Sequence, residues 1–329
     1  MKKKILLIGS LNMDLVIEMK RMPLVGETVA GESLAYIPGG KGANQAYAAA
    51  RLGGAVTMLG CVGSDQMGDA LLESLKESGA EISQIRRSAD TPTGMAMIYV
   101  NQEGNNSIVV ISGANACCDI SYLQEKDTLL AEADYVMLQM EIPREAVFYA
   151  ARRAKELGKT VILNPAPAPS PKDLPADLWA QIDYLTPNET ELAALCGEES
   201  LCGQEQVLKG AAKLLAKGVG NVLVTLGEKG ALLINRQGEA FFPARAVAAA
   251  DTTAAGDCFH GAFVVSLAEG KERADAIAFA NLASSIAVTR KGAQSSIPAR
   301  EEVQELVREA ACTPLFGSIK IPSVPEWKC

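Results

Sequence analysis

Residues 251–257, with the sequence Asp-Thr-Thr-Ala-Ala-Gly-Asp, carry the pattern most informative for chemistry. A helix is predicted to begin near Asp257, and the small residues before it leave its first backbone N–H groups open to an anion. A carboxylate in that first turn would lie beside the anion and could act as a general base. Asp257 could instead be a simple helix cap. A cap, however, requires neither the run of small residues nor a second carboxylate at Asp251.

Two segments of the first half offer hydrogen-bonding groups to a polar ligand. Residues 38–45 (Pro-Gly-Gly-Lys-Gly-Ala-Asn-Gln) open a predicted helix. Their glycines allow a ligand to approach the backbone, and Lys41 and Asn44 supply donors. A tight turn before a helix is the alternative. Asn12 and Asp14 follow the first predicted strand, and an amide and a carboxylate there could bind sugar hydroxyls.

Two segments of the second half also follow apolar runs. Residues 225–230 (Thr-Leu-Gly-Glu-Lys-Gly) lie at the carboxyl end of a predicted strand, where α/β sheets bind ligands. Asn188 and Glu191 are three residues apart at a predicted helix start and would therefore face the same side. They could hold a hydrated Mg²⁺ ion, or they could form a plain capping box. The sequence favours neither.

His260 and the cysteines are interpreted as structural. His260 is the only histidine, and no nucleophile motif of a Ser-His-Asp or Cys-His site surrounds it. We therefore expect a structural histidine with its hydrogen bonds satisfied. The eight cysteines show no paired C-x-x-C spacing, which predicts reduced thiols rather than zinc ligands or disulfides.

Charge and missing motifs exclude several classes. A net charge of −8 argues against binding nucleic acid, and no apolar stretch approaches the ~20 residues of a membrane helix. We expect a cytoplasmic protein that binds neither nucleic acid nor a membrane. The chain has no G-x-x-x-x-G-K-[ST] loop for ATP and no G-x-G-x-x-G motif after its first strand, which disfavours a nicotinamide or flavin enzyme.

Alternating short apolar runs and amphipathic segments predict the fold class. Strands are expected at residues 4–9, 56–62, 135–139, 161–164, 184–186 and 222–225. Helices are expected at residues 42–52, 69–78, 144–157, 189–195, 204–217, 257–267, 273–289 and 300–311. Strands that alternate with such helices predict βαβ units, and hence an α/β fold with an open, mostly parallel sheet.

Two insertions interrupt this alternation. Residues 15–37 and 93–111 contain turn residues and alternating apolar residues without a helical pattern. We expect them to pair into one small β-sheet that acts as a lid over the α/β crevice. An edge extension of the main sheet is the alternative. Residues 312–329 contain three prolines and no periodicity, which predicts a flexible or surface tail.

These residues together resemble the PfkB family of carbohydrate kinases over about residues 3–310. Both signatures of that family are present, at residues 39–44 and 251–257, with residues 188–191 between them. Residues 9–14 and 287–294 add to the match. The resemblance implies one kinase domain over residues 1–311. Its fold would be a three-layer α/β/α sandwich whose small β-sheet lid pairs with a second subunit in a homodimer.

The resemblance also implies a role for each matching residue. Asp257 would be the catalytic base, and the amides of Ala254, Ala255 and Gly256 would form an anion hole. The implied sugar-binding residues are Asn12, Asp14, Gly40, Lys41, Asn44, Glu141 and Asp257. The implied nucleotide-binding residues are Asn188, Thr225, Leu226, Gly227, Glu228, Lys229, Gly230, Gly256 and Asn281. A K⁺ ion would be held by Asp251, Thr253, Ala287, Arg290, Gly292 and Ser296.

The activity implied is phosphorylation of D-ribose at its 5-hydroxyl by ATP. The ATP would carry Mg²⁺, which Asn188 and Glu191 would hold indirectly, and K⁺ would be an activator. A kinase of 2-deoxyribose or of a nucleoside stays open, since Met95, Met97 and Tyr99 in the expected lid do not settle the sugar. A sugar sensor without turnover is disfavoured because Asp257 and the glycines are intact. Many members have glycine where this chain has Ala254. The methyl group of alanine narrows the backbone conformations available at this position.

Overall fold

A central eight-stranded sheet organises the computed structural model, which describes residues 2–312. Its strands are β1 Lys4–Ile8, β4 Ala55–Leu59, β9 Tyr135–Leu138, β10 Thr160–Leu163, β11 Tyr184–Leu185, β12 Asn221–Thr225, β13 Gly230–Asn235 and β14 Gly238–Pro243. The spatial order is β14-β13-β12-β11-β10-β9-β1-β4. All neighbours are parallel except at the β12-β13-β14 edge, which is antiparallel. The predicted mostly parallel α/β sheet is confirmed.

The sheet separates two apolar cores, as β1 illustrates. Ile5 and Leu7 face one cluster of buried side chains, whereas Leu6 and Ile8 face the other. Successive strand residues point to opposite faces, so a continuous apolar run such as β1 belongs to a sheet covered on both sides. The structure therefore has three layers, with helices on each face of the sheet.

The ten helices of the described residues follow the predicted spacing closely. They are α1 Lys41–Arg51, α2 Gln66–Glu77, α3 Ile120–Glu125, α4 Asp127–Glu132, α5 Arg144–Glu156, α6 Glu189–Cys196, α7 Gly203–Ala216, α8 Ala255–Ala268, α9 Arg273–Ala287 and α10 Arg300–Cys312. Helix α8 begins two residues before its predicted start, so Asp257 lies within its first turn. Helix α2 begins three residues early because the Asp65 carboxylate caps it at Gly68. The pattern missed the short helices α3 and α4.

The predicted strand at residues 56–62 is wrong in one respect. It divides at Gly60, after which β5 Cys61–Gly63 pairs with β6 Arg86–Ser88 in a separate two-stranded sheet. Glycine weakens a strand interior and often marks such a bend. The β13-β14 hairpin at the sheet edge was also not predicted.

A separate four-stranded sheet is formed by the two insertions, as expected. Its order is β3-β2-β7-β8, with β2 Asn12–Met19, β3 Gly31–Gly39, β7 Gly94–Asn101 and β8 Asn106–Ile111. The central pair β2 and β7 is parallel, and the outer strands are antiparallel to it. Strand β2 begins at Asn12 rather than residue 15, so Asn12 and Asp14 belong to this small sheet. Their positions were predicted only as following the first strand.

The remaining global features concern the chain end, the membrane and the thiols. The predicted tail at residues 312–329 lies outside the described residues except for Cys312, the last residue of α10. Among the helices of the described residues, none is long and apolar enough to cross a membrane. Cys61, Cys117, Cys118, Cys196, Cys202 and Cys258 are free thiols.

Candidate active site

The candidate site lies where strand ends, helix starts and the small sheet meet. Ser10 follows β1 and Glu141 follows β9, while Lys41 and Asp257 lie in the first turns of α1 and α8. Ligands of open α/β sheets bind at the carboxyl ends of the strands, and helix N-termini add backbone donors there. The fold thus brings together most of the residues singled out in the sequence.

Asp257 is buried, with 8% of its surface exposed, and amide groups hold both of its carboxylate oxygens. Gln45 donates from Nε2 to Oδ1 at 2.9 Å, and Asn44 donates from Nδ2 to Oδ2 at 3.1 Å. Burial raises the pKa of Asp257, and the Lys41 charge and the two amide hydrogen bonds oppose that rise. Close packing of α1 on α8 makes these bonds possible: a Cβ at Gly261 would lie 2.6 Å from the Ala48 Cβ.

Lys41 and Glu141 form the charged part of the site. The Glu141 carboxylate accepts from the Ser10 hydroxyl at 2.6 Å and from the Lys41 backbone N–H at 3.1 Å. Burial acts to lower the pKa of Lys41, but the carboxylates around it, Asp257 and Glu141 foremost, raise it overall. Lys41 is therefore charged at neutral to mildly alkaline pH, and it can donate to an oxygen-rich ligand.

Asp14 and Asn12 extend the polar group onto β2. The pKa of Asp14 is raised to about 7, first by burial and then by the negative charges of Glu141 and Asp257. Asn115 fixes Asn12 by donating to its Oδ1 at 2.7 Å. Asn115 also bonds both backbone groups of Leu11. Sequence reasoning missed Asn115, whose role depends on contacts about a hundred residues apart in the chain.

Gly40 lets the chain turn into α1 against β2. Its φ of 89° lies in the region that favours glycine, and a Cβ there would lie 2.7 Å from the Asn12 backbone nitrogen. Any side chain would therefore separate Lys41 and Asn44 from the residues of β2. This steric demand explains one glycine of the 39–44 signature.

A cleft of about 650 Å³ is lined at the start of α8 by Ala255 and Gly256, directly before Asp257. The predicted residues that line it are Asn188, Thr225, Gly227, Glu228, Lys229, Gly230, Gly256 and Asn281. Leu226 does not line it, since its side chain is buried in the apolar core. Residues 244–247 and Ala249, together with the face of α9 around Ser284, also line the cleft, and neither segment was predicted. Asn281 ties α9 to the end of β14 by donating to the Phe242 carbonyl at 3.0 Å.

Asn188 and Glu191 form the capping box that the sequence left open. The Asn188 Oδ1 accepts from the Glu191 N–H at 2.7 Å, and the Glu191 carboxylate accepts from the Asn188 N–H at 2.9 Å. Burial raises the pKa of Glu191. No group of three or more His, Cys, Asp or Glu side chains that could hold a metal occurs in the described part of the chain.

The loop before α8 and the loop after α9 are joined by Asp251. Its Oδ1 accepts from the Thr253 N–H at 2.9 Å, and its Oδ2 accepts from the Gly292 N–H at 2.9 Å. Burial acts to raise the pKa of Asp251, but these hydrogen bonds lower it overall, so the side chain is a carboxylate. Ala287 and Ser296 are buried in the same region, and Arg290 is ion-paired with Glu302.

Ala254 adopts an unusual backbone conformation directly before α8. Its φ of 56° and ψ of 11° are left-handed, and it is the only non-glycine residue with positive φ in residues 2–312. An L-residue there stores about 1–2 kcal/mol of strain. The N-terminus of α8 has no side-chain cap. The Ala255 N–H donates to the Thr252 carbonyl at 3.2 Å.

His260 is buried one turn after Asp257, as a structural histidine would be. Neither ring nitrogen has a partner of ordinary geometry among the described residues, although the Thr186 backbone lies close enough to act on the ring, so the expected satisfied hydrogen bonds stay a prediction. Burial, followed by the nearby Lys41 charge, lowers the pKa of His260 to about 3, so the imidazole is neutral. Its ring packs edge-on against Phe259.

A buried carboxylate that lies among charged and amide side chains, and that directly follows Gly256 in the wall of an open cleft, suits an enzyme that transfers a group between two ligands. The family model for pfkB family carbohydrate kinases matches residues 2–300. The chain belongs to this family, and the resemblance read from the sequence is confirmed.

Individual relatives agree with this assignment. A ribokinase of Haemophilus influenzae is 40% identical over 311 residues, covering 94% of this chain and 100% of that protein. A deoxyribokinase of Salmonella typhi is 37% identical over 301 residues, covering 92% of this chain and 97% of that protein. The structure of an Arabidopsis thaliana ribokinase complexed with ribose and ATP superposes with a TM-score of 0.85 at 33% identity, covering 93% and 99% of the two chains.

Proposed function

We propose that this carbohydrate kinase transfers the γ-phosphoryl group of ATP to the 5-hydroxyl of D-ribose. The observation that carries the proposal is the buried Asp257 carboxylate, which lies near the Lys41 charge and directly follows Gly256 in the wall of the cleft. Relatives named ribokinases, at about 40% identity over nearly the whole chain, support ribose as the sugar.

Asp257 acts as the general base of the reaction. Its carboxylate takes the proton of the sugar hydroxyl, the hydroxyl oxygen bonds to the γ-phosphorus, and the bond from that phosphorus to the bridging oxygen breaks to release ADP. The Lys41 charge and the Asn44 amide favour the ionised form needed for this step. A base so placed contributes about 10²–10⁴-fold to the rate.

Backbone amides at the start of α8 stabilise the transferring phosphoryl group. Positive partial charge collects at a helix N-terminus, where the first amides lack helical partners. Because the Ala255 N–H donates to Thr252, we assign the anion hole mainly to Ala254 and Gly256. The left-handed conformation of Ala254 supports this assignment, since strain held at one residue often marks a functional site.

We assign the sugar pocket to Asn12, Asp14, Gly40, Lys41, Asn44 and Glu141. The carboxyl groups of Asp14 and Glu141 accept hydrogen bonds from sugar hydroxyls, and Lys41 donates to the sugar oxygens. The amides of Asn12 and Asn44 can donate or accept, and Gly40 keeps the backbone close. The small sheet, which carries Asn12 and Asp14, acts as the lid over this pocket. Closure would exclude water that otherwise competes for the phosphoryl group.

The open cleft binds the nucleotide through Asn188, Asn281, the turn from Thr225 to Gly230, and Gly256. The residues fit a hydrated Mg²⁺ on the ATP phosphates, because Asn188 lines the cleft and is hydrogen-bonded to the partly buried carboxyl group of Glu191. Asn188 and Glu191 would hold its waters. Such an ion supplies charge neutralisation of the phosphates.

The loop joined by Asp251 suits a monovalent cation such as K⁺. Asp251 is a carboxylate, and the two chain segments it links carry the carbonyl and side-chain oxygens of the remaining proposed ligands, Thr253, Ala287, Arg290, Gly292 and Ser296. A bound cation would rigidify the loop that precedes Ala254.

The outer strands of the lid support a homodimer. Leu34 and Tyr36 on β3 and Ile108 and Val110 on β8 are 51%, 57%, 52% and 54% exposed. Apolar strand faces of this kind are commonly covered by a partner. A second subunit's lid is the proposed partner, and a cytoplasmic location stays a prediction.

A panel of sugars tests the proposal. We expect kcat/KM for D-ribose to exceed that for 2-deoxyribose, fructose and adenosine by at least tenfold. Preference for 2-deoxyribose would establish the second candidate, which the 37% identical deoxyribokinase of Salmonella typhi favours. Preference for adenosine would instead indicate a nucleoside kinase. The absence of turnover with all four compounds would contradict a kinase of ribose, 2-deoxyribose, fructose or adenosine.

A further inference from the structure

Beneath Asp257 lies a group of buried amide side chains that the proposed reaction does not use. Gln45 and Gln139 are fully buried, and Asn164 is nearly so. Gln45 follows Asn44 on α1, Gln139 follows β9, and Asn164 follows β10. Three amides in one dry place are costly unless their donors and acceptors are matched.

The hydrogen bonds of this amide group fix the orientation of Gln45. Its Nε2 donates to Asp257 Oδ1 at 2.9 Å and to Asn164 Oδ1 at 3.2 Å. Its Oε1 accepts from Gln139 Nε2 at 2.6 Å. A reversed amide would place an oxygen against the Asp257 carboxylate and a donor against Gln139. Only one orientation of the Gln45 amide therefore satisfies its partners, while Gln139 Oε1 has no partner of ordinary geometry among the described residues.

The surroundings in turn hold the partners of Gln45. The Asn164 Nδ2 donates to the Thr186 carbonyl at 3.0 Å, so its Oδ1 must face Gln45. Gly9 leaves room for Gln139, because a Cβ there would lie 2.0 Å from the Gln139 Oε1. The amide group is therefore built into the strand ends of the central sheet.

A neutral donor is the useful choice at this place. Asp257 is surrounded by ionisable groups from several elements: Lys41 on α1, Glu141 after β9, Asp14 on β2, Glu191 on α6, and Cys258 and His260 on α8. The Lys41 charge opposes the rise that burial causes in the pKa of Asp257, but Lys41 is also proposed to bind the sugar. A matched amide stabilises the carboxylate without adding charge to the site.

We propose that Gln45 is a positioning residue that orients the Asp257 carboxylate and keeps it ionised, and that Gln139 holds the Gln45 amide in its donating orientation. This inference rests on the proposed role of Asp257 as general base. It adds two residues to the site that lie outside the sugar and nucleotide pockets.

The test compares Gln45→Met and Gln139→Met with the unchanged enzyme and with Gln84→Met, the same change at a distant site where Gln84 bonds Lys126. The readout is kcat at saturating ATP and ribose as a function of pH. Saturation removes the titration of the free sugar pocket from the profile. We expect kcat of Gln45→Met to fall ~10-fold or more and its acid limb to move up by ~1 pH unit.

The two remaining variants sharpen the comparison. Gln139→Met should move the acid limb in the same direction by a smaller amount, and Gln84→Met should leave it in place. KM for ATP should stay within about twofold in all three, because none contacts the cleft. A merely structural role for Gln45 would lower the melting temperature without moving the acid limb.

Two outcomes overturn the inference directly, and a third overturns the proposed function on which it rests. If Asp257→Asn removes turnover but Gln45→Met keeps the wild-type acid limb and kcat, Gln45 does not position the base. If Gln45→Met does not fold, Gln139→Met decides, and an unmoved acid limb there contradicts the inference. Full turnover of Asp257→Asn would instead remove the proposed base, and with it the premise of the inference.

Discussion

The buried carboxyl group of Asp14 couples the stability of this kinase to pH. Its pKa is raised from 3.8 to about 7, mainly by burial and then by Glu141 and Asp257. Between these two pH values the unfolded chain has lost this proton and the folded chain keeps it. The contribution of Asp14 to the free energy of unfolding therefore falls as pH rises through this window and is level above it. Asp14→Asn removes the ionisation and should remove this loss.

The size of the effect follows from the two pKa values. A difference of about three pH units corresponds to at most about 4 kcal/mol, at 1.36 kcal/mol per unit. The stabilisation of Asp14→Asn over the wild-type protein should thus be larger at pH 8 than at pH 4 by a few kcal/mol. The comparison across pH cancels the parts of the substitution that do not titrate.

Urea unfolding at pH 4, 6 and 8, with linear extrapolation to water, measures this difference. Asp90→Asn is the matched control, because Asp90 is exposed. An Asp14→Asn difference that is constant across pH, or larger at pH 4, would refute the reasoning.

Three further results are expected. Ala254→Gly should raise the free energy of unfolding by roughly 0.5–1 kcal/mol, because glycine relieves the left-handed strain. Urea unfolding measures this change, and a lower free energy of unfolding for the variant would contradict the left-handed conformation. Asn115→Ala should raise KM for the sugar about tenfold or more at unchanged KM for ATP, since Asn12 loses its anchor; equal effects on both would contradict that role. ATP hydrolysis without sugar should be at least about 10²-fold slower than sugar phosphorylation, and comparable rates would contradict closure by the lid.

The parts of the fold that were predictable depend on local patterns. The helix starts at Lys41, Glu189 and near Asp257 follow from small residues and caps. The pairing of the two β insertions follows from their alternation and their lack of helical periodicity. The strand break at Gly60 and the β13-β14 edge hairpin have weaker local signals, and both were missed.

The parts of the site that were not predictable depend on contacts between distant residues. Asn115 has an ordinary local sequence, and its function comes from Leu11 and Asn12 on another element. The bond between Gln45 and Gln139 likewise joins two elements. The left-handed conformation of Ala254 contradicts the propensity of alanine, so only the surrounding structure could reveal it.

The central claim is that Asp257 removes the proton of the sugar hydroxyl. The most direct measurement is kcat of Asp257→Asn with ribose and Mg-ATP, together with the Kd for ATP. The account predicts that kcat falls by at least about 10²-fold while the Kd for ATP stays within about twofold. A variant that keeps most of its turnover would contradict the account.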